Sequence, residues 1–240
     1  MKKLNFRIVT FAGLLATLVG MYSCASNDPS PNGTINLHVA GSGNTAFNTA
    51  GRTGGRTEAA IEITDFQISI RDVIFKSDTG DSTDIAFSGP YMLDLLSGVD
   101  ALSQSIGSAV IPNGTYQELR FKFHKDRTVD VAHPLYDRSI FVKGTIDGVP
   151  FEMWHDTSEN LDLRKNAGGV TVNDNVVDLV VNFTIDQFLT SRYIIDLSLA
   201  KDGDLDGLIE INPNDEDGNK DIADTLKENI KEAADLLDGK

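Results

Sequence analysis

Residues 109–124 read AVIPNGTYQELRFKFH, and this stretch decides the fold class. Beyond Pro112-Asn113-Gly114, the residues Gln117, Leu119, Phe121 and Phe123 alternate with Glu118, Arg120 and Lys122. A period of two sends successive side chains to opposite faces, so the stretch is a half-buried strand entered through a tight turn. The same period recurs in both directions from it. Upstream it links Ile35, Leu37 and Val39, and within Ala59 to Lys76 it links Ile61 and Ile63, then Phe66, Ile68 and Ile70, then Val73 and Phe75. Ile85, Phe87, Tyr91 and Leu93 predict another extended piece. Downstream, Ser139 to Asp156 reads as a hairpin, because Ile140, Val142 and Ile146 precede Asp147-Gly148 while Val149, Phe151 and Met153 follow it; Asp-Gly suits a two-residue turn with positive φ. Val176 to Phe188 and Tyr193 to Leu199 predict two more strands, with Asp186 to Arg192 turning between them.

The breaks between these runs are equally legible. Gly41 to Thr57 holds five glycines and is expected to be a long loop, Asp78 to Asp84 is a turn cluster, and Gly168-Gly169 makes a further break. Val99, Leu102 and Ile106 stand at i, i+3 and i+7, which predicts a short helix over an open end of the sheet. A turn about every ten residues predicts a mainly β protein, an antiparallel β-sandwich of about eight to ten strands, and not a βαβ fold.

Asp94-Leu95-Leu96-Ser97-Gly98, then Ile111-Pro112-Asn113-Gly114-Thr115-Tyr116, then Leu119-Arg120-Phe121 together resemble a domain-of-unknown-function family of Bacteroidetes-type bacterial lipoproteins, whose pattern is DLL…G, P-x-G-x-Y and [IL]-R-[LF]. The resemblance extends over residues 34–200. It implies an extracytoplasmic β-sandwich and transfers no catalytic residue.

The amino-terminal stretch reads as an export signal over residues 1–23. Lys2, Lys3 and Arg7 form a positive region and Ile8 to Met21 an apolar run, short for a membrane span. Ser23 places a small residue before Cys24, so lipidation (palmitate) is expected at Cys24 and an outer-membrane location follows, although Met21 and Tyr22 depart from the usual lipobox. Residues 24–33 (CASNDPSPNG) would be a solvated tether. Cys24 is the only cysteine, so no intramolecular disulfide can form and the domain must rely on burial. The 240 residues carry a formal charge of −15; without the leader's three bases, 18 bases face 36 acids, a net of −18. Such a surface repels phosphate backbones and anionic headgroups, which argues against nucleic acid as a partner and favours cations. The membrane is then reached through the lipid, with an outer-membrane protein as a further partner.

Residues 201–240 differ in kind, with 13 acids and five bases. Asp202-Gly203-Asp204-Leu205-Asp206-Gly207-Leu208-Ile209-Glu210 follows the first nine positions of a calcium loop, with oxygens at positions 1, 3, 5 and 9 and a glycine at 6. Position 12, where a bidentate acid belongs, is Pro213, so the second acid run of Asp215, Glu216 and Asp217 is the alternative source of the closing ligand. Asp202, Asp204, Asp206, Glu210, Asp215 and Asp217 are therefore the candidate Ca2+ ligands, and a solvated acidic turn is the plainer reading. Ile222, Leu226, Ile230, Ala233 and Leu237 recur at helical steps, which predicts an amphipathic helix over Asp221 to Asp238, ended by Gly239.

His38, His124, His133 and His155 show no HxH or HExxH spacing, no G-x-S-x-G elbow is present, and Gly55-Arg56-Thr57 lacks the spacing and lysine of a phosphate loop. The expectation is a lipid-anchored binding or accessory module without catalytic activity, stabilised by calcium. The alternatives are an anchored glycan hydrolase, with paired acids near Trp154, and a subunit of a surface adhesin.

Overall fold

The computed structural model describes residues 31–48, 59–77, 86–96, 104–165, 168–190 and 195–239. The leader with Cys24, most of the tether, residues 49–58, residues 78–85 with the turn predicted over 78–84, and residues 97–103, 166–167, 191–194 and 240 lie outside the described residues. In chain order the strands are β1 (Asn32–Ser42), β2 (Ala46–Asn48), β3 (Ala60–Ser77), β4 (Tyr91–Asp94), β5 (Gln104–Pro112), β6 (Gly114–Phe123), β7 (Ile140–Ile146), β8 (Val149–His155), β9 (Asn160–Arg164), β10 (Val170–Val172), β11 (Val176–Thr184), β12 (Ile209–Ile211) and β13 (Ala234–Asp238). Helix α1 (Ile185–Thr190) follows β11, and α2 (Lys220–Glu232) precedes β13.

The strands form two sheets. The smaller runs β13-β11-β1-β5; the larger runs β10-β6-β3-β7-β8-β12, with β2 and β4 also on β3 and β9 on β6. At 18 residues, β3 is long enough to serve two neighbours on one edge. Its Ile68 lies between Leu93 of β4 and Ile140 of β7, whereas Ile70 lies between Tyr91 of β4 and Phe123 of β6. β6 and β7 therefore follow one another along the same side of β3. Beyond that point the ladder shifts register between Arg71 and Ile74, where Asp72 takes a φ of 54°, and such a bulge bends a long strand.

The two sheets share one core because each has the alternation that the sequence predicts. Ile35, Leu37 and Val39 of β1 and Leu179, Val181 and Phe183 of β11 are buried, and Phe183 meets Phe121 of β6 with ring centroids 6.4 Å apart. Helix α1 adds Phe188, 4.9 Å from Phe66. Burying each such side chain contributes about 1.5–3 kcal/mol, the main driving force for a chain whose one cysteine cannot form an internal cross-link.

The turns predicted at Asp147-Gly148 and Pro112-Asn113-Gly114 form for the reasons given. Asp147 and Gly148 have φ of 51° and 81°, as the two-residue hairpin requires, and Asp147 Oδ1 also accepts from the Ala60 amide at 2.8 Å. Around Pro112-Asn113-Gly114, the Tyr116 hydroxyl donates to the Pro112 carbonyl at 2.7 Å. Asn113 exchanges two hydrogen bonds with Asp174, at 2.8 and 2.9 Å, so the β5–β6 turn is tied to the turn before β11. Asp94 Oδ1 accepts from the Leu96 amide, and Leu95 is fully buried with its amide on the Phe66 carbonyl.

Several expectations are corrected. The count is thirteen strands among the described residues, and two pairings are parallel: β1 with β11 and β12 with β8. The 41–57 loop begins later than expected, since β1 continues to Ser42 and Ala46–Asn48 pairs with β3. Ile106 belongs to β5 and not to a helix; the rest of that predicted helix lies outside the described residues. Residues 185–190, read as strand and turn, form α1, and Leu197–Leu199 is a turn of 3-10 helix capped by Asp196 and not a strand. The carboxy-terminal helix ends at Glu232, after which the period returns to two: Ala234 and Leu236 are buried while Leu237 is exposed. The backbone of β13 completes the free edge of β11, from Leu179 opposite Asp238 to Phe183 opposite Ala234. The segment after residue 200 adds one strand to each sheet, and Ile211, Leu226 and Ile230 enter the common core. Among the described residues no helix is long and apolar enough to cross a membrane.

Candidate metal centre

The acidic stretch runs into β12 from Asp202 and on from β12 to α2, and two buried side chains, Asp217 and Asn219, hold it. Asp217 Oδ1 accepts from the amides of Gly203 (2.7 Å) and Asp204 (3.2 Å), and its Oδ2 accepts from that of Glu210 (2.7 Å). One carboxylate thereby fixes both limbs of the loop. Asn219 directly precedes α2, where a cap is expected, yet its side chain does not cap the helix. Its amide nitrogen donates to the carbonyls of Lys201 and Glu210, and its oxygen accepts from the Lys201 amide. Gly203 makes the close approach possible, because a Cβ there would stand 2.6 Å from the Asp217 carbonyl oxygen. Leu205, Gly207, Asp215 and Gly218 all have positive φ, which gives the loop its tight winding.

Of the six predicted ligands, Asp202, Asp204 and Asp217 converge, with one oxygen from each lying within 4.8 Å of the others. Asp202 also accepts from the amides of Asp206 and Gly207, and Asp204 from that of Asp206. The other three candidates are committed elsewhere. Asp206 accepts from the Leu208 amide in its own turn, and Asp215 accepts from the Lys220 amide at the start of α2. Glu210 supplies its amide to Asp217 while its carboxyl stays outside the cluster. Asp217 stands in the loop where a closing ligand is wanted and Pro213 could not serve. The Glu210 carboxyl is raised above its ordinary value, first by burial and then by Glu216, Asp217, Asp206 and Asp204, which registers how negative the neighbourhood is.

No salt bridge reaches Asp202, Asp204 or Asp217 among the described residues. Like charges 4.8 Å apart repel by about 1 kcal/mol per pair in bulk water and by several times that where water is excluded. The donors are all hard oxygens, which fit calcium and not a soft transition metal.

Elsewhere the chemistry is dispersed. Among the described residues no other group of three His, Cys, Asp or Glu brings ligand atoms within such a distance. His155 is buried with its pKa lowered, mainly by that burial, and its Nε2 is 3.4 Å from Asp224 of α2. His133 accepts from the Leu135 amide, a local turn contact. Trp154 is not a free stacking platform: the Arg138 guanidinium lies over its ring at 4.7 Å. Arg138 carried no signal in the sequence, since it belongs to no motif and meets Trp154 only in space.

A family model described as "Domain of unknown function (DUF4382)" matches residues 51–213. That span includes Asp202 and Asp204 and ends before Asp217. No curated protein matches the chain. A solved structure that resembles it is MbnP from Methylosinus trichosporium, 11% identical over 69% of this chain and 79% of that one, with a TM-score of 0.35.

Proposed function

The chain belongs to the DUF4382 family, and on that premise we propose, from its own residues, a lipid-tethered, non-catalytic binding or accessory module of the bacterial cell envelope whose carboxy-terminal loop is braced by Ca2+. The observation that carries the calcium part is the convergence of Asp202, Asp204 and Asp217 with no ion pair to a base among the described residues. A divalent cation would offset the three mutual repulsions with three attractions at the point where β12 and α2 are joined, so it would act on the fold and not on a bond to be broken. The tether part is supported by the basic and apolar runs before the lone Cys24. Acylation there would place an acidic domain at the outer membrane through its lipid, within reach of an outer-membrane protein partner.

Thermal melting in calcium and in excess chelator tests the reading. Calcium at a hundredfold excess over its Kd stabilises by about 2.7 kcal/mol, which for a domain of this size raises Tm by about 5–10 °C. The discriminating variant is Asp204→Asn, which keeps an oxygen for the Asp206 amide and removes one charge. It should lose most of the calcium increment while being no less stable than the parent in chelator. Equal midpoints with and without calcium would remove the cation from the account.

A further inference from the structure

A second site lies on the outer face of the larger sheet, where the connection between β6 and β7 crosses it. A pocket of about 360 Å3 opens there, walled by Pro134, Tyr136 and Phe141 and edged by Arg138, Lys143 and Glu152. This is within the range of small-ligand pockets. Arg71, Arg120, Arg127 and Arg164 each form an ion pair with a carboxylate, and Arg138 is the only arginine among the described residues that does not. Its hydrogen bond to the Pro134 carbonyl is long, at 3.5 Å, whereas a guanidinium carries five N–H donors. Acids are not scarce nearby. Glu152 holds Lys143 at 2.9 Å, and Asp65, also on the pocket, holds the Gln67 amide at 3.0 and 3.1 Å. Glu152, Glu216 and Glu210 act on Arg138 only through space, and burial lowers its pKa despite them. Trp154 lies against the guanidinium, whose central carbon is 4.7 Å from the ring centroid, and apart from the long bond to Pro134 no acceptor takes its N–H donors among the described residues.

We propose that this pocket binds a small organic carboxylate with an apolar body, Arg138 donating two parallel N–H bonds to the carboxylate while Tyr136, Phe141 and Pro134 pack against the body. Planar, bidentate pairing is what arginine does best, and the Tyr136, Phe141 and Pro134 side of an otherwise polar pocket, which Asp65, His133, Lys143 and Glu152 also line, distinguishes an organic acid from a bare inorganic anion. The inference gives the module a ligand class, and it stands whether or not the acidic loop holds a cation.

Trp154 is the only tryptophan in the chain and touches Arg138, so its fluorescence reports the site directly. The full-length, detergent-solubilised protein is titrated with benzoate, with benzyl alcohol as the uncharged counterpart and inorganic phosphate as the bare anion, in chelator and again in calcium. A saturable change is expected with benzoate, at an affinity about ten- to a hundredfold above that for benzyl alcohol. Phosphate should bind more weakly than benzoate. Arg138→Gln should lose that preference and Arg138→Lys should keep only part of it. No saturation with benzoate into the tens of millimolar, equal binding of benzyl alcohol, or phosphate binding as well as benzoate would each overturn the proposal. The comparison of benzoate with benzyl alcohol uses the parent protein alone, so it decides even if the Arg138 variants do not fold. Loss of the calcium effect on melting with benzoate binding intact would refute the cation reading and leave this one in place.

Discussion

Replacing Glu159 by Gln should loosen the attachment of α2 to the larger sheet, by an amount that depends on pH in a defined direction. Glu159 sits in the connection between β8 and β9; one of its oxygens accepts from Lys227 Nζ at 3.0 Å and the other from Lys231. The two lysines are one turn apart on α2 and grip the carboxylate together. Lys231 and then Lys227 hold the Glu159 pKa down, from 4.5 to about 2. Taken at face value, that shift is worth roughly 3 kcal/mol. The Glu159 side chain is 46% exposed, so solvent screens the pair and about 1 kcal/mol is the better expectation. Glu228 also bonds both lysines, at 3.1 Å each, and retains them in the variant. The backbone of the connection is held separately, since the Phe123 amide donates to the Glu159 carbonyl. The variant should therefore fold and melt about 2–4 °C lower at neutral pH and low salt. A carboxyl whose folded pKa is depressed contributes stability that is complete above the unfolded value of 4.5 and is lost as pH falls toward 2. The gap between parent and variant, read by circular dichroism melting, should be constant from neutral pH down to about 5 and close below it. Added salt should narrow it throughout. Equal midpoints at neutral pH and low salt, or a gap that widens on acidification, would refute the clamp.

Two other outcomes follow from single residues. Tyr116→Phe removes the hydroxyl that closes the β5–β6 turn on the Pro112 carbonyl and should cost about 1 kcal/mol in urea denaturation, whereas an unchanged midpoint would make that contact incidental. Cys24→Ser should abolish labelling of the protein by palmitate in cells and release it from the membrane fraction; retention of the label would place the lipid elsewhere.

The alternation around Leu119, Phe121 and Phe123, or Ile35, Leu37 and Val39, identified which side chains face the core, because period two is a property of neighbours along the chain. It could not identify which strands lie side by side. The parallel pairing of Thr34 with Val176 joins positions separated by nearly the whole domain, and nothing local marks it. The same limit explains β12 and β13. Ile209 is visible as an apolar residue, but the DxDxDG spacing before it draws it into a loop, and Leu237 fits a helical step until the open edge of β11 offers a backbone partner. Tertiary hydrogen bonding outweighed a local preference that differs little between the two states for such a short segment.

The acidic loop divides along the same line. Asp202 and Asp204 are legible as candidate ligands because a sharp turn places residues two apart on one side, and spacing alone encodes that. Asp217 entered as one of several acids in the second run. What singles it out is burial, with the amides of Gly203, Asp204 and Glu210 directed at it. Asp215, its close neighbour with the same chemistry, is turned instead to the Lys220 amide. The division has a mechanical consequence. The carboxylate that completes the cluster is also the one that ties β12 to the turn before α2, and α2 in turn leads into β13 on the opposite sheet. A cation seated among Asp202, Asp204 and Asp217 would therefore strengthen a joint through which both sheets are connected, and removing it should lower the melting of the whole domain and not only fray one loop.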